Sequence, residues 1–157
     1  MSLKSHSPAT PIDDIILTGY RMNQAPKIRF LELPNNGDAR GFSFTAPAEA
    51  LEYVGPVVDL RLASNGPGAM RGNHYHVKGR MALLVLPGPK WSFHWDDGEG
   101  SEPQHRVFDG KAAVVVLIPT GASHAVRNEA EGESQLWMTT ISSDKYDATD
   151  RRTRKVL

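Results

Sequence analysis

From residue 27 onward the chain reads as short β-rich runs broken by Gly, Pro, Asn and Asp, with no helical period of about 3.6 sustained over three turns. The runs 27–33, 41–45, 57–63, 70–76, 81–86, 91–96, 112–118, 124–128 and 134–141 are predicted strands. Strands of this number and length predict an all-β fold, a jelly roll or related double-sheet barrel. The one helical candidate, 48–53, is about a turn and a half and reads as a corner. Trp91, Phe93 and Trp95 alternate with Ser92, His94 and Asp96, so the strand period of two sends the aromatics to one face, read as the core face. His94 then points away from that face, toward either solvent or the barrel interior.

Residues 1–26, with prolines and scattered polar groups, predict an N-terminal arm, partly disordered or docked on a partner subunit. Only 12–20 is apolar enough to dock. The domain proper is expected over 27–157. At 157 residues the chain fits one domain.

Charge narrows the partners. Lys plus Arg and Asp plus Glu both number 18, which gives no electrostatic footprint for nucleic acid or an anionic membrane and points to a small-molecule ligand. Cysteine is absent, which excludes disulfides and thiolate metal sites and leaves imidazole and carboxylate as strong ligands. The first residues lack the apolar core of a signal peptide, and no stretch approaches the length of a membrane span. A soluble, unprocessed, cytoplasmic protein is expected.

The candidate chemistry lies in three histidines. His74 and His76 stand two apart in a predicted strand, so both imidazoles leave the same face, about 6.5–7 Å apart at the backbone. In Pro119-Thr120-Gly121-Ala122-Ser123-His124-Ala125-Val126-Arg127-Asn128, a Pro/Gly turn delivers His124 to the start of another strand. If the two strands are neighbours, three imidazoles share one cavity, as general bases or as metal ligands. His6 and His105 read as structural or solvated.

These segments together resemble the cupins, whose first motif holds His-x-His followed by Glu and whose second is Pro-x-Gly-x-x-His-x-x-x-Asn. The second is present in full. In the first, Arg80 and Met81 stand where the Glu falls. The resemblance therefore implies either no cofactor or one divalent ion (Zn, Fe, Ni or Mn) on His74, His76 and His124.

A closer likeness, from about residue 27 to the end, is to the sugar-nucleotide branch of the cupins. Gly37-Asp38-Ala39-Arg40-Gly41 is similar to its Asp-x-Arg-Gly element and Arg71-Gly72-Asn73-His74-Tyr75-His76 to its Arg-Gly-x-His core. The latter wording is nearest to the C-terminal cupin domain of bifunctional capsular-polysaccharide UDP-sugar reductases. The likeness implies an epimerase or ketoisomerase of a nucleotide-linked 4-keto-6-deoxy sugar, acting by proton abstraction beside the ketone, and a homodimer formed by strand exchange or sheet packing. In the dTDP-4-dehydrorhamnose 3,5-epimerases the residue matching His74 is the base; in the dTDP-sugar 3,4-ketoisomerases both histidines of the pair lie in the active site. Two features differ. If Tyr146 is the second of the epimerases' late tyrosines, Thr140 occupies the catalytic tyrosine's place. The aspartate that orients their base comes from a C-terminal extension, which this chain is expected to lack.

On this reading His74, His76 and Arg71 are the candidate catalytic residues, and Arg40, Asn73, His124 and Tyr146 the substrate contacts. Arg40 and Arg71 suit a diphosphate, or else pair with a carboxylate such as Asp38 or Asp59. Tyr146 is a donor or a packing residue at the barrel rim. Met70 and Met81 read as core, and 150–155 as a solvated basic end. A histidine bound to metal cannot also be the base, so the metal-free and metal-dependent versions compete for His74. Two other readings stand beside the epimerase: a non-catalytic cupin that binds a sugar or metabolite, and a metal-dependent oxygenase or isomerase with a three-histidine centre.

Overall fold

Which face of each strand is apolar decides how the sheets stack. The computed structural model describes residues 27–145 and 147–157, so the N-terminal arm and Tyr146 lie outside the described residues. The strands are β1 (Arg29–Leu33), β2 (Asp59–Asn65), β3 (Met70–His76), β4 (Met81–Val85), β5 (Trp91–Trp95), β6 (Gln104–Phe108), β7 (Ala113–Ile118), β8 (His124–Asn128), β9 (Leu136–Ser142) and β10 (Arg151–Thr153). They form two antiparallel five-stranded sheets, ordered β1-β7-β4-β9-β2 and β10-β3-β8-β5-β6. This is the expected jelly roll.

The main core lies between the sheets. Leu83, Val85, Val114, Val116, Ile118 and Met138 of the first sheet meet Trp91, Phe93, Phe108 and Val126 of the second. Trp91 and Phe93 are fully buried and Trp95 packs against the same core, as the alternation predicts. Trp91 stacks on Phe108 with ring centroids 4.0 Å apart. Every residue of β7 is buried, because its sheet is covered on both faces. The second cover is the helix α1 (Ala48–Val54), whose Ala50 and Val54 pack with Ala82, Val115, Leu117 and Ile141. The predicted corner is therefore the lid of a second, outer core.

Two expectations fail and two strands appear that were not predicted, for physical reasons. The run 41–45 is not a strand: Asp38 and Gly41 form an isolated bridge, and the Asn35 carboxamide accepts the Gly37 and Ser43 N–H groups, so the segment is stitched as a loop. β6 and β10 have no apolar alternation to announce them. Both are sheet edges, and β6 is exposed except at Phe108. Met70 is not core; it stands exposed at the rim of the cavity described below, while Met81 does pack against the core. Among the described residues no helix is long and apolar enough to cross a membrane.

Candidate active site

β3 and β8 are neighbours, which meets the condition for a shared histidine cavity. Their register runs Arg71↔Val126 and Gly72↔Ala125, then His74↔His124, with Asn73 as one extra residue in a bulge. Bulges re-aim side chains by changing the strand's parity. Here the extra residue puts Arg71 on the inner face with His74 and His76, three and five positions away. Gly72 has φ 121° and a Cβ there would stand 2.3 Å from the His124 carbonyl oxygen, so no other residue fits. Asn73 takes φ 57°, the left-handed region that Asn tolerates best among residues with a Cβ.

The three imidazoles converge. Ring centroids are 5.1 Å apart for His74 and His76, 4.9 Å for His74 and His124, and 5.8 Å for His76 and His124. They form one end of a cavity of about 610 Å³ between the sheets. The facing wall from the first sheet carries Met81, Leu83, Met138 and Thr140, and the mouth carries Arg61, Arg71, Lys145 and Arg151 beside Asp59, Asp144 and Asp147.

The three environments differ. Burial holds His124 neutral, and with the nearby His74 and His76 pushes it down to about 3; its Nδ1 lies 3.4 Å from the Ala122 carbonyl. Burial also lowers His74, against an opposing hydrogen bond to the Gly72 backbone. His76 alone faces a carboxylate: its Nδ1 is 2.8 Å from Asp150 Oδ2, with side-chain exposures of 20% and 10%. Asp150 Oδ1 accepts the N–H groups of Val77 (3.1 Å) and Lys78 (2.8 Å). Burial works to raise the Asp150 carboxyl, but these bonds outweigh it and hold it below the usual carboxylate range.

The Asp150 carboxylate stands on His76, not on His74, the residue that the resemblance makes the base. Asp150 ends a single-turn 3-10 helix, Ala148–Asp150, whose start is capped by Asp147 accepting the Thr149 N–H at 2.7 Å. The Asp-x-Thr turn was the one sequence signal for it. Nor is 150–155 a solvated end: β10 pairs with β3, and the Arg154 guanidinium bonds Asp96.

Other expected site residues fall elsewhere. Arg40 is not among the cavity residues; its side chain is 90% exposed and pairs with Asp38 at 2.6 Å, the carboxylate alternative. Asn73 is not among the cavity residues either; its Oδ1 accepts the N–H groups of Val156 and Leu157 and its Nδ2 donates to the Leu157 carbonyl. Arg71 does line the cavity, with Nε donating to the Ser64 carbonyl at 3.1 Å. Tyr146 lies outside the described residues. Arg80, in the stretch where a metal-binding Glu falls, lies over the Tyr53 ring at 5.6 Å. His94, left open by the pattern, stacks on exposed His105 and bonds Ser92 Oγ on the outside of the second sheet.

The ring nitrogens of His74, His76 and His124 lie within 4.8 Å of one another, a donor set that fits a divalent ion in number and softness. Nitrogens bound tetrahedrally to zinc stand about 3.3 Å apart, so the rings would close slightly on an ion.

No family model matches the chain. A comparison with characterised proteins by sequence finds no match either. Solved structures do match. The dTDP-6-deoxy-D-glucose-3,5-epimerase RmlC of Legionella pneumophila, in complex with dTDP-4-keto-L-rhamnose, superposes with a TM-score of 0.64 at 20% identity, covering 80% of this chain and 71% of that one. QdtA, a sugar 3,4-ketoisomerase of Thermoanaerobacterium thermosaccharolyticum in complex with TDP, gives 0.62 at 15% identity over 80% and 86%. The capsular polysaccharide assembling protein CapF of Staphylococcus aureus gives 0.54 at 22% identity; the match covers 79% of this chain and 33% of CapF. These likenesses show the fold: the chain shares the double-sheet jelly roll of these structures.

Proposed function

We propose that this cupin-fold chain is an epimerase or ketoisomerase of a nucleotide-linked 4-keto-6-deoxy sugar, and that the His76–Asp150 pair removes the proton beside the ketone. The observation that carries the reading is the 2.8 Å contact between His76 Nδ1 and a carboxylate fixed by two backbone N–H groups, on a ring that lines the cavity. An ionised Asp150 accepts the Nδ1–H and leaves Nε2 as the unprotonated nitrogen. Nε2 takes the proton from the carbon next to the carbonyl, and the carboxylate then stabilises the imidazolium that forms. The bonding electrons move into the enediolate, whose oxygen needs a donor or a positive charge close by. Arg71 stands on the same face as the pair and supplies that charge. His74, neutral because burial disfavours its cation, is the second group able to carry a proton between neighbouring atoms. Protonation of the same carbon from the opposite face gives the epimer, and protonation of the former carbonyl carbon, with a proton passed from one enediolate oxygen to the other, gives the isomeric keto sugar.

The apolar wall of Met81, Leu83 and Met138 suits a methyl group, as a 6-deoxy sugar has; one structural neighbour is named for a reaction on a 6-deoxy sugar and another for a ketoisomerisation of a sugar. A nucleotide-linked substrate agrees with a cytoplasmic protein. The test is incubation with dTDP- and UDP-linked 4-keto-6-deoxy sugars in deuterated buffer. Deuterium at a carbon beside the ketone is expected. Its absence with every sugar refutes the reading.

The three-nitrogen cluster supports a second reading. A divalent ion on His74, His76 and His124 would polarise a bound carbonyl, and His76 would then be a ligand instead of a base. Elemental analysis separates the two: one metal per chain that survives dialysis favours the ion.

A further inference from the structure

The carboxylate on His76 is delivered by the last stretch of the chain, and that stretch is held from the far side of the sheet. β10 starts one residue after Asp150 and pairs with β3 through Arg151↔His76, Arg152↔Tyr75 and Thr153↔His74. Asp150 is held locally by the Val77 and Lys78 N–H groups, Val77 N also reaching its carbonyl at 3.2 Å, and next to it in the chain β10 adds three polar residues paired at a sheet edge, a pairing weak by itself. The residues after β10 are tied down far more firmly. Arg154 Nε and Nη2 meet the two oxygens of Asp96 at 2.6 Å each. The Asp96 side chain is only 4% exposed, and it also accepts the N–H groups of Gly98 and Ser123. The same guanidinium donates to the Gly121 carbonyl and lies over the Tyr75 ring at 4.4 Å. Tyr75 sits between the two histidines in sequence and faces the opposite side of β3. Arg154 N donates to the Asn73 carbonyl, its own carbonyl accepts from Ser123 Oγ, and the Asn73 carboxamide holds Val156 and Leu157.

We infer that Arg154 is a positioning residue: by pinning the C-terminal stretch to buried Asp96 behind the sheet, it holds Asp150 against His76 in front of it. A bidentate guanidinium–carboxylate pair fixes angle as well as distance, which a lysine at the same place does not. Without the pin, β10 frays from its edge and the short bonds of Val77 and Lys78 to Asp150 alone hold the carboxylate, so its contact with Nδ1 loosens, while the histidines, which sit on β3 and β8, stay where they are. The link to catalysis rests on the function proposed above; the link to the His76–Asp150 bond does not.

The test therefore reads the bond first. Two-bond ¹H–¹⁵N spectra of the imidazoles, with His76 assigned by its Asn variant, report which ring nitrogen carries the proton. The wild type is expected to show His76 as the Nδ1–H tautomer, with a downfield Nδ1–H resonance. Arg154→Ala is expected to lose that resonance and give mixed tautomers, Arg154→Lys to recover it in part, and the His124 signals to stay unchanged in both. In turnover on the 4-keto sugar, kcat of Arg154→Ala falls at least tenfold with KM moved less. If Arg154→Ala does not fold, Asn73→Gly, which keeps the positive φ and removes the clamp on Val156 and Leu157, is expected to weaken the resonance. A folded Arg154→Ala, or failing that Asn73→Gly, with the wild-type His76 spectrum overturns the inference. A lost resonance in a protein that turns over no sugar leaves the inference standing and overturns the function.

Discussion

Replacing His124 with Asn tests whether the innermost imidazole is buried as a neutral ring. Its folded-state pKa of about 3 lies far below the ordinary histidine value of 6.5. The sign comes from that order. Above 6.5 the ring is neutral folded and unfolded alike, and contributes nothing to the pH dependence. As pH falls below 6.5 the unfolded chain gains a proton that the folded one does not, so stability is lost progressively down to the folded value. Each full unit within that window is worth about 1.4 kcal/mol, which makes the loss from His124 between pH 7 and pH 5 about 2 kcal/mol. His74, also lowered by burial, adds loss of the same sign. The lowered carboxyls of Asp96 and Asp150 titrate below this window, since the unfolded value is 3.8. Urea unfolding of chelator-treated protein at pH 7 and pH 5 measures the effect. The variant is expected to lose about 2 kcal/mol less than the wild type over that interval. An equal loss in both refutes the account of a neutral, desolvated His124.

Gly72→Ala is expected to abolish the site along with much of the stability, because its Cβ would meet the His124 carbonyl and the Ala125 Cα at 2.3 and 2.6 Å; thermal melts and cavity-ligand binding should fall together. Asn128→Ala is expected to destabilise by at least about 3 kcal/mol in denaturant unfolding, since the fully buried carboxamide donates to the Asn65 and Ser134 carbonyls and accepts the Ala130 N–H, all left unpaired. Leu60, Leu62 and Trp137, exposed on adjacent β2 and β9, fit the homodimer that the family resemblance implies. Light scattering should give twice the chain mass, and a monomer would contradict it.

Where side chains carried the information, the chain was readable. The aromatic alternation of β5 and the unbroken apolar run of β7 placed the core, and the histidine spacing on β3 and β8 brought three imidazoles to one cavity. The motif's final Asn128 was legible as a signature but not as what it is, a buried clamp between loops. Backbone-driven features were not legible. β10 is made of Arg, Arg and Thr, and its pairing with β3 is stabilised by contacts of Arg154 and Asn73 that lie far apart in sequence. Asp150 was hidden for the same reason: a carboxylate among arginines reads as solvated surface until the strand beside it is known. Arg40 failed in the opposite direction, since the local turn gives it Asp38 as a partner and leaves it outside the cavity. The bulge at Asn73 turns a motif residue into a structural one, because its left-handed backbone aims the carboxamide at the chain end.

The His76–Asp150 pair is the centre of the account, and solvent exchange at the substrate tests it most directly. Deuterium incorporation beside the ketone of a nucleotide-linked 4-keto-6-deoxy sugar should be compared for the wild type, His76→Asn and Asp150→Asn, with the fold checked by circular dichroism. Loss of a positioned general base costs about 10²–10⁴-fold. The account predicts a fall of that size for His76→Asn and a smaller fall for Asp150→Asn, in which the base remains without its orienting carboxylate. A folded His76→Asn that exchanges at the wild-type rate would contradict it.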